Sequence, residues 1–336
     1  MNNKRIIKDS ELRNFGNVES FADRAQTLLT IQKEKWHSLN NGYKNLGSVE
    51  TRELEIDGTK VTLQFNPQRI ISSAAKVDEK SIKERKCFLC VENLPGEQKA
   101  VQYGNDFLIL GNPYPIFPEH FTISKIKHTP QRIKKSFEDL INLSRDLGKY
   151  YSVFYNGPEC GASAPDHLHF QACTKNFMPI EREYDFIKAT MCRTAGKNSK
   201  LEVFAAKNFV RKFISFESTS KIELLNIFKI FYDGFSRLPD TSIEPMVNII
   251  SSYENNKWRV IIFPRKKHRP DFYFKEGSDK ILISPAASDL GGISITPRKE
   301  DFDKVTKENL EKMFDEILVS TEFFEFLINR CETYFR

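Results

Sequence analysis

Hydrophobic positions along this chain follow two different periods. In ESFADRAQTLLTIQKEKWHSLN, residues 19–40, Phe21, Ala25, Leu28, Leu29, Gln32 and Trp36 recur near every 3.6 residues, which predicts an amphipathic helix. TRELEIDGTKVTLQFN then switches to a period of two. Leu54 and Ile56 alternate before Asp57-Gly58, and Val61, Leu63 and Phe65 alternate after it, so a hairpin is expected. KAVQYGNDFLIL, turning at Gly104-Asn105-Asp106, reads as a second hairpin. GNPYPIFPEH carries three prolines and is expected to be an ordered loop or an extended edge. HTPQRIKKSFEDLINLSRDLGKYY predicts a helix, with Thr129 as N-cap, Pro130 in the first turn, and Ile133, Phe137, Leu140, Ile141 and Leu147 on one face. A strand, YSVFY, a loop, NGPECGASAPD, and a strand, HLHFQAC, follow.

The pattern returns loosely in the second half. VNIISSY, a turn at ENN, and KWRVIIF read as another hairpin; ILIS, GISITP and a helix from Asp301 to Ile317 come after it. A further helix is expected near residues 220–236. The fold class is therefore α+β, two antiparallel sheets with flanking helices, rather than a βαβ array. The expected division is a helical extension over 1–50, a half-domain over 51–180, a connecting helical region over 181–240 and a second half-domain over 241–336.

Composition narrows the setting. At 336 residues the chain is long enough for two domains or a duplicated unit, and 40% hydrophobic with 29% charged residues is ordinary for a globular protein. No run is apolar enough for a membrane span, and the first residues, MNNKRIIKDSELRNFG, have no signal-like apolar core. Six cysteines scattered over this length are not a disulfide framework, so a reduced, cytoplasmic location is expected. The net charge of +6 is spread along the chain, which argues against nucleic acid as a partner and is compatible with small phosphorylated ligands.

The chemistry concentrates in residues 156–172. On a strand, His167, His169 and Gln171 project to one face and Leu168, Phe170 and Ala172 to the other. The preceding loop, Asn156 to Pro165, is rich in small residues that let a ligand approach the backbone. Its N–H groups, with the Asn156 and Ser163 side chains, suit phosphate oxygens. An imidazole beside such a cradle can attack phosphorus if one nitrogen is unprotonated and the other is tied to a carbonyl. The bland alternative is a polar sheet face with satisfied histidines. Separately, KCFLCVEN holds Cys87-x-x-Cys90, which by spacing is half a tetrahedral zinc site, a pair of buried thiols or a redox pair. Lys257, Arg259 and Arg265 flank the WRVIIFPR strand, where they face either substrate phosphates or solvent.

NGPECGASAPDHLHFQA resembles the active-site signature of the transferase branch of the histidine triad superfamily: N-x-G, a Gly/Ser loop, then H-x-H-x-Q. That branch includes galactose-1-phosphate uridylyltransferases, diadenosine tetraphosphate phosphorylases and GDP-hexose phosphorylases. HLHFQA with the later Met178-Pro179-Ile180-Glu181, and ISPAASDLGGISITPRKEDFDKVTKENLEKMFDEI, look most like the GDP-hexose phosphorylases. The resemblance covers residues 60–325 in patches and implies duplicated half-domains of histidine triad type, the second a degenerate copy. It implies that His169 is the nucleophile, that Gln171 holds the phosphoryl oxygens, and that His167 is a support residue or metal ligand. Asn156, Gly157, Gly161 and Ser163, with Arg69 of the FNPQR segment, fall on phosphate- or nucleotide-binding positions. Uridylyltransferases carry an FNP-type stretch before C-x-x-C, and many bind zinc with that pair and two histidines. By that match Cys87, Cys90, His128 and His167 are the expected ligands of a structural zinc, with His120 as a competing candidate.

The expected activity is nucleotidyl transfer by a ping-pong route through a nucleotidyl-histidine. The donor is a nucleotide sugar, GDP-hexose favoured, or a dinucleotide, and the acceptor is inorganic phosphate or a sugar 1-phosphate. The alternatives are a hexose-1-phosphate uridylyltransferase, a dinucleoside polyphosphate phosphorylase, or a catalytically silent nucleotide-binding protein.

Overall fold

Asp57 and Gly58 both take positive φ, 52° and 66°, the conformation of a two-residue hairpin turn that matches strand twist. The computed structural model, which describes residues 4–70, 78–237 and 244–336, thus forms the first hairpin where the alternation predicts it. Strands β1 (Glu50–Ile56) and β2 (Thr59–Phe65) pair with Leu54 opposite Val61. The second hairpin also forms, β3 (Ala100–Tyr103) with β4 (Phe107–Gly111). These two hairpins belong to different layers.

The larger sheet has ten strands. After β3 and β4 its first half adds β5 (His120–Lys125), β6 (Tyr151–Asn156) and β7 (His169–Thr174). Its second half consists of β8 (Arg193–Lys197), β9 (Leu201–Ala206), β10 (Phe213–Ser218), β11 (Val247–Glu254) and β12 (Lys257–Pro264). The spatial order is β3-β4-β5-β7-β6-β11-β12-β10-β9-β8. Each half is a three-stranded meander, then a helix (Phe137–Asp146 or Lys221–Asp233), then a hairpin whose second strand lies beside the meander. The duplication is therefore one of topology. The two copies fuse through antiparallel β6 and β11, with Asn156 opposite Asn248.

Side chains on the two faces of this sheet feed two cores. Leu168, Phe170 and Ala172 join Leu28, Leu140, Ile227 and Leu327 from the helices on one face. Phe154, Cys173 and Ile250 on the other face pack against Val61, Leu63, Ile293 and Phe314. The second face is covered by a small sheet in the order β1-β2-β13, where β13 is Ile293–Thr296, and by the helix Lys307–Ile317.

Several expectations give way here. Residues 181–240 are not mainly a helical connector, because β8, β9 and β10 complete the second half of the sheet. The small sheet is not wholly antiparallel, since β13 runs parallel to β2. ILIS forms no strand. The helix expected over residues 19–40 breaks at Trp36, whose extended backbone separates Phe21–Lys35 from His37–Leu46. The helix expected from Thr129 begins only at Phe137. Upstream, the Thr129 carbonyl accepts from Leu168 N and the Gln131 N–H donates to Pro165 O, so that backbone is committed to the signature loop. No helix among the described residues is long and apolar enough to cross a membrane.

Phe170 is fully buried and meets the rings of Phe107 and Tyr155. Phe170→Ala should lower unfolding free energy by about 3–5 kcal/mol, measured by urea denaturation. Phe274→Ala, at a 66% exposed site, should stay within about 0.5 kcal/mol of the parent.

Candidate active site

His169 is the first residue of β7 and is 4% exposed. Its Nδ1 lies 2.8 Å from the His167 carbonyl. A carbonyl only accepts, so Nδ1 carries the proton and Nε2 is the free nitrogen. Burial lowers the His169 pKa to about 4, so the ring is neutral near pH 7. Its backbone is held equally firmly. The pairing of β6 with β7 ends at Phe154 and Gln171, and beyond it the buried Gln131 side chain bridges the two strands. Gln131 accepts from His169 N at 2.8 Å and donates to the carbonyls of His169 at 3.0 Å and Asn156 at 2.9 Å.

A cavity of about 820 Å³ opens over this end of the sheet. Its lining includes His169, Gln171, Asn156, Gly161, Ser163 and Arg69. These are the expected nucleophile, its glutamine and four of the five expected phosphate-binding residues. Gly161 has φ +93°, and a Cβ there would come within 2.7 Å of Ala286 Cβ. Only glycine suits both the conformation and the contact. Asn156 Oδ1 accepts from Asn248 Nδ2 at 2.7 Å and Ala287 N at 2.8 Å. That leaves its Nδ2 as the donor for the cavity. Gln171 Oε1 is 2.8 Å from His120 Nε2, so its amide nitrogen is likewise left for a ligand.

Other expected residues fall elsewhere. Gly157 does not line the cavity; its N–H donates to Val247 O, and a Cβ would meet that carbonyl at 3.0 Å, so it serves the seam with β11. His167 precedes the strand, is fully buried and is not among the residues that line the cavity. Lys257 and Arg259 converge on the buried Glu217. Arg265 is buried and donates to Asn248 Oδ1 and to the carbonyls of Pro285, Lys267 and His268. None of these cations reaches the cavity lining. Gln131, His120 and Asn248 were not anticipated in these roles. Polar residues fully buried in an otherwise apolar pattern were the available signal. Trp36 and Ser38 also line the cavity, so the N-terminal helices wall the site.

His167 instead joins a second centre. The ligand atoms of Cys87, Cys90, His128 and His167 all lie within 4.8 Å of one another. His167 Nδ1 is 3.3 Å from Cys87 Sγ and 3.6 Å from Cys90 Sγ, and His128 Nδ1 is 3.1 Å from Cys90 Sγ. Zinc bound tetrahedrally by sulfur and nitrogen spaces its ligand atoms roughly 3.3–3.8 Å apart. The far nitrogen of His167, Nε2, donates to Lys125 O at 2.6 Å, the support that metal-ligating imidazoles commonly have. The four side chains form a set that can hold a metal ion. His120, the competing candidate, is instead bonded to Gln171.

Residues 28–174 match the family model described as Domain of unknown function (DUF4922), and residues 186–335 match the model described as GDPGP1-like, C-terminal domain. The galactose-1-phosphate uridylyltransferase of Bacillus subtilis (strain 168) is 28% identical over 152 residues, 40% of this chain and 28% of that protein. The chain thus spans less than a third of the curated relative it matches. Yeast Ap4A phosphorylase Apa2 superposes with a TM-score of 0.55 at 17% identity, covering 90% of this chain and 95% of the yeast chain. The yeast enzyme in complex with Ap4A gives 0.57 at 14% identity, over 88% and 97%. At such identities the likeness is one of fold. The duplicated five-stranded unit, with His169 and Gln171 at its cavity, is thus similar in fold to the yeast phosphorylase, and the two family models together match most of the chain without either spanning half of it.

Protein purified without chelators should carry about one bound divalent metal ion per chain, as a closed Cys2His2 set does. Cys87→Ala and Cys90→Ala should each bring the content near zero by plasma mass spectrometry. Metal-free wild-type protein from zinc-supplemented culture would contradict the assignment.

Proposed function

We propose that this chain is a nucleotidyltransferase that moves a nucleoside monophosphate from a nucleotide sugar, GDP-hexose favoured, to inorganic phosphate. The observation that carries this reading is the state of His169. Its Nδ1–H is tied to the His167 carbonyl, its ring is neutral, and its Nε2 stands beside a cavity rimmed by Gln171, Ser163, Asn156 and Gly161. In the first step the Nε2 lone pair attacks the α-phosphorus. A P–N bond forms, and the P–O bond to the sugar 1-phosphate breaks. In the second step a phosphate oxygen attacks the same phosphorus and His169 leaves. The positive charge on the nucleotidylated ring falls on Nδ1–H, where the carbonyl dipole stabilises it. Negative charge growing on the non-bridging oxygens meets neutral donors from Gln171, Asn156 and Ser163, fixed in advance by the fold.

Support for the guanine nucleotide comes from the HLHFQA and MPIE stretches and from the GDPGP1-like match over residues 186–335. Similarity of fold to yeast Ap4A phosphorylase over most of both chains favours a dinucleoside polyphosphate as the second choice of donor. Arg69 faces the cavity as a cation for the donor's phosphates. The four-residue cluster is assigned a structural zinc, which would tether the loop at Cys87 to His167, two residues before β7; water activation is not its part. Six free cysteines suit a reducing cytoplasm.

Purified protein should be given GDP-, UDP- and ADP-hexoses and diadenosine tetraphosphate, each with inorganic phosphate. Release of nucleoside diphosphate from GDP-hexose, lost by at least a thousandfold in His169→Ala as expected for removing a nucleophile, is the expected result. No turnover with any donor, with nucleotide binding intact, would overturn phosphate as the acceptor; no exchange of labelled sugar 1-phosphate either would favour a silent nucleotide-binding protein. Gln171 cannot give or take a proton at neutral pH, which disfavours water as acceptor. Gln171→His should therefore lose transfer to phosphate and gain hydrolysis; unchanged hydrolysis would contradict that role.

A further inference from the structure

His120 is fully buried at the start of β5 and has no place in the metal cluster. Its ring is fixed from both sides. The Ile116 N–H points to Nδ1 at 3.4 Å, so Nδ1 is the acceptor and the proton sits on Nε2. Nε2 in turn is 2.8 Å from Gln171 Oε1. The ring packs edge-on against Phe117 at 5.1 Å and stacks with Phe154 at 6.2 Å, which leaves it little freedom to rotate. The backbone of His120 is clamped as well. Tyr43 Oη donates to the His120 carbonyl at 3.1 Å and accepts from its N–H at 3.0 Å. Tyr43 belongs to the helix His37–Leu46, so this clamp comes from the N-terminal segment.

We propose that His120 is the positioning residue that makes Gln171 a one-way donor toward the transferred phosphate. The chain of bonds runs Ile116 N–H to His120 Nδ1, His120 Nε2–H to Gln171 Oε1, then Gln171 Nε2–H into the cavity. A side-chain amide can be turned over with little change of shape, and the reversed amide would aim a carbonyl oxygen at phosphate oxygens. With His120 in place the reversed amide faces a buried N–H with its own NH2, two donors and no acceptor, which is strongly disfavoured. His120 itself touches no substrate. Its effect passes through Gln171, and the N-terminal helices enter the site's chemistry through the Tyr43 clamp.

This inference rests on the proposed role of Gln171, and a double-mutant cycle separates the two. The rate of nucleotidyl-enzyme formation is measured by rapid quench with GDP-hexose for the parent, His120→Leu, Gln171→Ala and the double variant. Nucleotide affinity and melting temperature are measured alongside. His120→Leu is expected to lower the rate roughly 10- to 100-fold, less than loss of an oxyanion donor outright, with nucleotide affinity little changed. In the Gln171→Ala background the same change should have almost no further effect, because the group it positions is gone. His120→Gln, which keeps an N–H donor near Nε2, should recover much of the rate. Equal losses in both backgrounds, or no rescue by His120→Gln in a folded protein, would overturn the positioning role. If Gln171→Ala alone leaves the rate unchanged, the role of Gln171 fails, and this inference falls with it.

Discussion

The antiparallel pairing of β6 with β11 is the constraint on which the rest depends. It fuses two five-stranded units into one sheet and places Asn156 opposite Asn248. That second asparagine reaches across the seam to Asn156 Oδ1 and to the Cys160 carbonyl. The signature loop of the first half is therefore shaped by a residue of the second. Arg265, just past β12, holds Asn248 in turn. Neither the second half's missing histidine stripe nor its buried arginine makes it idle; it is the buttress of a site built in the first half.

From that seam outward, fixed backbone sets the chemistry. Gln131 closes the gap where β6 and β7 part, and this holds His169 by its own N–H and carbonyl. The His167 carbonyl then chooses the His169 tautomer. On its other side His167 belongs to the Cys87, Cys90 and His128 cluster. One short stretch thus joins a metal-binding set to a free imidazole nitrogen, with Leu168 and Phe170 rooting it in the core. Two of the donors beside the cavity, the Asn156 and Gln171 side chains, are neutral amides whose acceptor ends are already occupied. Such donors need no reorganisation as charge develops on phosphorus-bound oxygens.

Much of this was legible in the sequence, and the boundary has physical causes. Alternation and the Asp57-Gly58 and Gly104 turns located both early hairpins, since local periodicity and turn chemistry are short-range. The spacing of His169 and Gln171 put them on one face, and small residues marked the loop beside them. The four metal-cluster residues came from spacing together with resemblance. What was not legible depends on distant partners. Residues 181–240 hold β8 to β10, a meander whose place in the sheet is set by the long-range pairing of β10 with β12. Thr129 looked like a helix cap, but its carbonyl is taken by Leu168. Gly157 looked like part of a phosphate cradle, yet it is small because Val247 of the other half lies against it. His120 looked like a spare metal ligand, and only the fold shows it turned toward Gln171.

The most direct test of the account is the covalent intermediate. Protein mixed with GDP-hexose labelled in the α-phosphate, with no acceptor present, is quenched in base, digested and mapped by mass spectrometry. The account predicts a stable nucleotidyl group on His169, at up to one per chain, that disappears on adding inorganic phosphate and re-forms with fresh donor. Turnover without an adduct, or an adduct on any other residue, would contradict it.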